Sequence, residues 1–124
     1  MKIFITDNKE VLNISLYDIL KHLDQIESYS WFINFIEGEG KDSIDILSIE
    51  ENINNNIDEK YSLDELNKLL SNFLFLNELD LKGVFMNSNI NIQLIDRSFW
   101  IVETNELYFL KKIKNVTNFK VSYE

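Results

Sequence analysis

Glu37 and Glu39 alternate with glycine at the start of "IEGEGKDSIDILSIEENINNNIDEKYSLDE", which runs from Ile36 to Glu65. On a strand, residues two apart leave the same face, so these carboxylates would stand side by side. Asp42 and Asp45 follow closely. Such a group could bind calcium, or supply an acid and a base. The spacing does not follow the calcium-loop pattern, and no other catalytic group accompanies it. A solvated hairpin tip explains Glu37, Glu39, Asp42 and Asp45 with fewer assumptions.

Other chemistries are poorly supplied. There is no cysteine, which excludes disulfides and thiolate nucleophiles. The single histidine, His22, falls four residues after Asp18 and reads as a solvated helix residue with a weak ion pair. One histidine and no cysteine make a zinc site unexpected, and three scattered glycines (Gly38, Gly40, Gly83) build no phosphate loop. No cofactor is expected. Trp31, Phe32, Phe35, Phe99 and Trp100 alternate in strand-like runs and read as core before they read as a ligand pocket. Tyr29 and Tyr108 suit a protein interface, where a polar tip can accompany an apolar ring.

The net charge of −9 is unevenly spread. Residues 1–36 carry five acids and three lysines, residues 37–65 ten acids and two lysines, and residues 66–124 six acids and seven bases. The middle stretch therefore holds −8 and the last stretch +1. Such a field repels a phosphate backbone and attracts a basic protein. Direct nucleic-acid binding is not expected. Neither is membrane insertion, since the longest apolar run, "FLFL" at Phe73–Leu76, is far too short to span a bilayer. The opening "MKIFITDNKE" is too short to read as a signal peptide, so a cytoplasmic location is the default.

These residues must be positioned by local elements. "KIFIT" reads as a strand. Ser15 fits the N-cap of a helix with Asp18 at its third position, Ile14 stapling onto Ile19, and Leu16, Ile19, Leu20 and Leu23 on one face. Trp31–Ile36 reads as a strand, with Gly38 and Gly40 freeing a turn and Ile44–Ile49 returning as a second strand. Ile46, Ile49 and Ile53 also fit helical spacing, so a short helix is the alternative there. Asn52–Glu59 has loop composition. Ser62 and Glu65 predict a capping box on a helix through "YSLDELNKLLSNFLF", with Tyr61 stapling to Leu66 and Leu63, Leu66, Leu70 and Phe73 buried. "LDLKGVFM", "INIQLI" and "FWIVE" follow as strands, "ELYFLKKIKN" as a helix and "FKVSY" as a last strand. The order predicts one α+β domain over residues 1–124, a mostly antiparallel sheet of about six or seven strands with about three helices.

In size, acidity, lack of cysteine and absence of catalytic motifs the chain resembles small bacterial immunity proteins, which neutralise a cognate toxin such as a nuclease. The pieces "SLYDIL" and "YSWFI" also resemble the opening of a family of small Bacillus proteins, which implies no activity. The resemblance to immunity proteins implies an inhibitor that is not an enzyme. Its partner-binding carboxylates would be Glu37, Glu39, Asp42, Asp45, Glu50, Glu51, Asp58 and Glu59, set against the basic cleft of a toxin. Two alternatives use the same region: a nucleic-acid mimic aimed at a phage-defence or CRISPR nuclease, and a metal-binding protein or enzyme built on Glu37, Glu39 and Asp42.

Overall fold

A computed structural model describes residues 1–7 and 12–123, which leaves the end of the N-terminal stretch and the last residue outside the description. The elements are β1 (Lys2–Thr6), α1 (Leu16–Leu20), a single 3-10 turn (Ile26–Ser28), β2 (Ser30–Gly40), α2 (Ile46–Asn54), α3 (Leu63–Leu70), β3 (Phe73–Phe85), β4 (Ser88–Ile95), β5 (Phe99–Thr104), α4 (Leu107–Lys114) and β6 (Lys120–Tyr123). The six strands form one antiparallel sheet in the order β2-β3-β4-β5-β1-β6. The fold is α+β, as the element order predicts.

Local chemistry accounts for the helix starts. Ser15 Oγ accepts from Asp18 N at 3.1 Å while Asp18 Oδ2 accepts from Ser15 N at 2.8 Å. Ser62 and Glu65 repeat the exchange at 3.1 and 2.9 Å. Each box satisfies amides that a helix N-terminus leaves unpaired. The Ser62 backbone and side-chain hydrogen bonds hold the Glu65 carboxyl below its ordinary value.

Alternation divides the sheet. Ile3, Ile5, Trp31, Ile33, Leu81, Ile92 and Val102 are buried on one face. Ile19, Leu20, Ile53, Leu66, Phe109 and Ile113 of the four helices join them in a single core. Register places Phe4, Phe32, Phe35, Asp80, Lys82, Gln93 and Ile101 on the other face, where none is fully buried. All four helices thus cover one face.

Two expectations are corrected. Ile44–Ile49 is not a returning strand; helix α2 begins at Ile46, with Asp45 as its N-cap. Ile46, Ile49 and Ile53 share one face at helical spacing, and Ile53 is buried while Ile46 and Ile49 pack against the core. The long partner of β2 is instead β3, 13 residues in length. That strand starts at Phe73, so α3 stops at Leu70 and Phe73 pairs with Gly40 rather than continuing a helical stripe. Within the predicted stripe only Leu66 and Phe73 are buried; Leu63 and Leu70 are half-buried.

Candidate functional site

Most of the predicted acidic residues sit on and around the edge strand β2. A sheet edge presents unpaired backbone groups, a liability that natural folds cover. Here α2 covers it with side chains. Asn54 Oδ1 accepts from Ile36 N at 2.9 Å, and Asn54 Nδ2 donates to Ile36 O at 3.0 Å. One turn earlier, Glu50 Oε1 accepts from Gly38 N at 2.8 Å. Farther along the strand, Trp31 and Tyr61 exchange two backbone hydrogen bonds of 2.8 Å. The helix therefore runs antiparallel to β2, from the Gly40 end toward the Trp31 end.

Gly40 makes this approach of α2 possible and Gly38 the close approach of β3, rather than either freeing a turn as the sequence suggests. Both lie inside β2 and neither has a positive φ. A Cβ on Gly38 would collide with the Phe75 carbonyl, and one on Gly40 would come within 2.7 Å of Ile46 Cβ.

The eight predicted carboxylates divide into two groups. Three have internal partners: Glu50 on the Gly38 amide, Asp45 on Ser48 N and Oγ at 3.3 and 2.8 Å, and Glu37 on Asn77 Nδ2 at 3.3 Å. The other five, Glu39, Asp42, Glu51, Asp58 and Glu59, are exposed. Among the described residues none of the eight forms a salt bridge; the pair recorded there joins Lys112 to Asp24 at 2.8 Å. Asp42 and Asp45 precede α2 while Asp58 and Glu59 follow it, so the carboxylates form a ridge along the helix instead of one cluster. The nine residues of α2 alone span about 14 Å at 1.5 Å each. Among the described residues no three His, Asp or Glu side chains converge to hold a metal ion.

A second feature lies across the core face, among elements the sequence predicts but where it points to no site. Residues 12–21, α3, the start of β3 and the β4–β5 turn enclose a groove of about 810 Å³. Its walls include Leu16, Leu20, Leu70, Leu76, Leu94 and Trp100. Its charged lining residues are Lys21 and Arg97, and none of its twenty described lining residues is acidic. Arg97 sits in the turn between β4 and β5, with φ of 53° beside Asp96 at 47°. Left-handed backbone is unfavourable for arginine. Here it is imposed by anchors to β3: Arg97 N donates to Asn77 O at 2.8 Å and Asp96 N to Glu78 Oε1 at 2.8 Å. The guanidinium carbon lies 3.8 Å from the centre of the Phe75 ring. The available signal in the sequence was that Arg97 is the single arginine of the chain.

The remaining candidates fall elsewhere. Trp31 and Trp100 are core residues, and Trp100 Nε1 donates to Ile14 O at 2.8 Å. Phe32, Phe35 and Phe99 lie on the uncovered sheet face, where Phe35 is 45% exposed. Tyr29 is buried, its hydroxyl 2.7 Å from Ser88 Oγ. Burial pushes the Tyr29 phenol up, against the opposing Ser88 hydrogen bond, and Glu106 and Asp24 add to the rise. Burial, then Glu59 and Glu65, raise Tyr61 likewise. Tyr108 is exposed, with Lys112 Nζ 4.6 Å from its ring centre. His22 is not a solvated helix residue. Helix α1 ends at Leu20, and His22 is half-buried, its Nε2 shielded and without a hydrogen-bond partner among the described residues. Burial lowers its pKa, Lys21 and Lys112 lower it further, and Asp18 opposes them.

No family model, curated protein or solved structure matches the chain. Among the described residues no helix is long and apolar enough to cross a membrane.

Proposed function

We propose that the chain is a binding protein without catalytic activity, an immunity-type inhibitor that docks its acidic ridge onto the basic cleft of a toxin. The observation that carries this reading is the set of five exposed carboxylates with no internal partner, Glu39, Asp42, Glu51, Asp58 and Glu59, held on or beside a helix pinned to the sheet edge. Glu39 on β2 and Glu51 on α2 keep a fixed spacing, with Asp42, Asp58 and Glu59 on the connections beside them, which favours electrostatic steering. Solubility alone would be served by an even spread of charge. A toxin that grips nucleic acid through lysines and arginines presents the complementary field.

The test begins with the product of an adjacent toxin-like reading frame, co-purified with the chain. Association rates against ionic strength are then measured for the wild type and a variant carrying Glu39→Gln, Asp42→Asn, Glu51→Gln and Asp58→Asn. The expected result is slower association at low salt and a flatter salt dependence in the variant. Coincident curves for a genuine complex would remove the ridge from the interface.

A further inference from the structure

The geometry points to the groove between α1 and α3 as a binding site for an amphipathic carboxylate, an aliphatic chain ending in a single acid group. This does not depend on the acidic ridge. The aliphatic chain lies against Leu16, Leu20, Leu70, Leu76 and Leu94, and the carboxylate meets Arg97 at the rim. The volume of about 810 Å³ is within the range of ordinary small-molecule sites, which pair apolar walls with a few placed polar groups.

Charge identifies the occupant. The chain holds 21 acids against 12 bases, yet its groove is lined by Lys21 and Arg97 and by no described acid. Neither cation forms a salt bridge among the described residues. Lys21 Nζ lies 5.9 Å from the Tyr17 ring centre, and the Arg97 guanidinium lies over Phe75. Stacking occupies a guanidinium's flat face and leaves its in-plane N–H donors free, and those donors match the two oxygens of a carboxylate. The turn that carries Arg97 is fixed to β3 by two hydrogen bonds from its backbone amides, one to the Asn77 carbonyl and one to the Glu78 carboxylate, so the donors are presented from a held turn. A cationic amphiphile would meet two like charges among the lining residues. A neutral one would gain nothing from either cation, which water already solvates.

The probes are octanoate, decanoate and dodecanoate below their micelle concentrations, with dodecyltrimethylammonium as the charge-reversed control. Calorimetry gives affinity and stoichiometry, and NMR shift mapping locates the bound chain. One carboxylate per chain is expected, with shifts at Leu20, Leu70, Leu94 and the Trp100 indole. Affinity should rise by about fourfold for each added methylene. Arg97→Gln should weaken dodecanoate by about tenfold, and Lys21→Gln by less, because a lysine lacks the planar fork. Both positions are exposed, so matching thermal melts will show that the fold survives. The proposal is overturned by equal affinity for dodecyltrimethylammonium, by unchanged affinity in Arg97→Gln, by non-saturable uptake, or by shifts confined to the uncovered sheet face. Sedimentation showing a dimer that protects Leu70 and Leu94 would assign the groove to a second copy and would equally overturn it.

Discussion

Along the α2–β2 edge the protein gathers carboxylates around a strand whose outward groups at Ile36 and Gly38 N are bonded by α2 side chains. In the groove beneath α1 and α3 it keeps two cations among the lining residues of an apolar trough. The two regions use charged side chains differently. At the edge, Glu50, Asp45 and Glu37 work inside the fold, so a count of acids overstates what is left for a partner. At the groove no described acid is among the lining residues, and neither Lys21 nor Arg97 forms a salt bridge among the described residues. Internal partners, more than net charge, separate a structural carboxylate from an available one.

The sharpest break of this comparison concerns the floors of the two regions. Leu66 is fully buried under the sheet, whereas Leu70, one turn on, is half-buried in the groove wall. Leu66→Ala should cost about 2–5 kcal/mol, and Leu70→Ala about 1 kcal/mol, since a residue facing an open groove leaves no sealed cavity. Urea unfolding of both variants measures this. Equal losses would mean that the groove is closed in solution.

Next in size is the edge. Asn54→Ala removes both side-chain hydrogen bonds to Ile36 and should cost about 1–3 kcal/mol. Hydrogen exchange at the Ile36 amide should quicken, while Leu81 in the neighbouring strand stays protected. If Asn54→Ala is neutral, α2 does not hold the edge and the ridge loses its fixed spacing. The paired control is the fourfold amide variant at Glu39, Asp42, Glu51 and Asp58. None of these has an internal partner, so its stability should stay within about 0.5 kcal/mol of wild type or rise slightly as repulsion is relieved. A large loss there would show that these carboxylates also have structural work.

Much of the architecture was legible in the residues. The two capping boxes, the alternation of Ile90, Ile92 and Leu94, and the lysine-rich end of α4 depend on nearest neighbours in sequence, and all three lie where expected. The errors arose where distant partners decide. Whether Ile44–Ile49 returns as a strand depends on whether β2 already has a long neighbour, and β3 is 43 residues beyond Ser30 in its start. The end of α3 is set by Phe73 pairing with Gly40, which no local pattern announces. The ridge was legible as acids but not as two groups, because the bonds to Gly38 and Asn77 cross between elements. The groove was not legible at all. Its walls come from three stretches far apart in sequence, residues 12–26, 63–76 and 94–100, which no local pattern brings together.

The smallest expected effect is a pH dependence at His22, on the same core face as the groove. Its Nε2 is shielded and without a hydrogen-bond partner among the described residues, and burial together with Lys21 and Lys112 disfavours the charged imidazolium, with Asp18 opposing. Lys112 is itself held 2.8 Å from Asp24, so its charge acts on the imidazole only in part. In the unfolded chain the imidazole titrates at its ordinary value of 6.5, and in the folded protein it titrates lower. Above that value both states are neutral, and the group adds no slope. As the pH falls below 6.5 the unfolded chain binds the proton first, so stability declines until the folded-state value is reached, and then levels. His22→Leu cannot take up the proton and no longer encloses an unpaired nitrogen. It should match or exceed wild type at neutral pH and lose the part of the decline that falls between about pH 6.5 and 5, before the carboxylates titrate. Urea midpoints across that window measure the difference. Parallel curves for the two proteins would mean that the imidazole is hydrated, and that this side of the molecule is as open to water as the ridge.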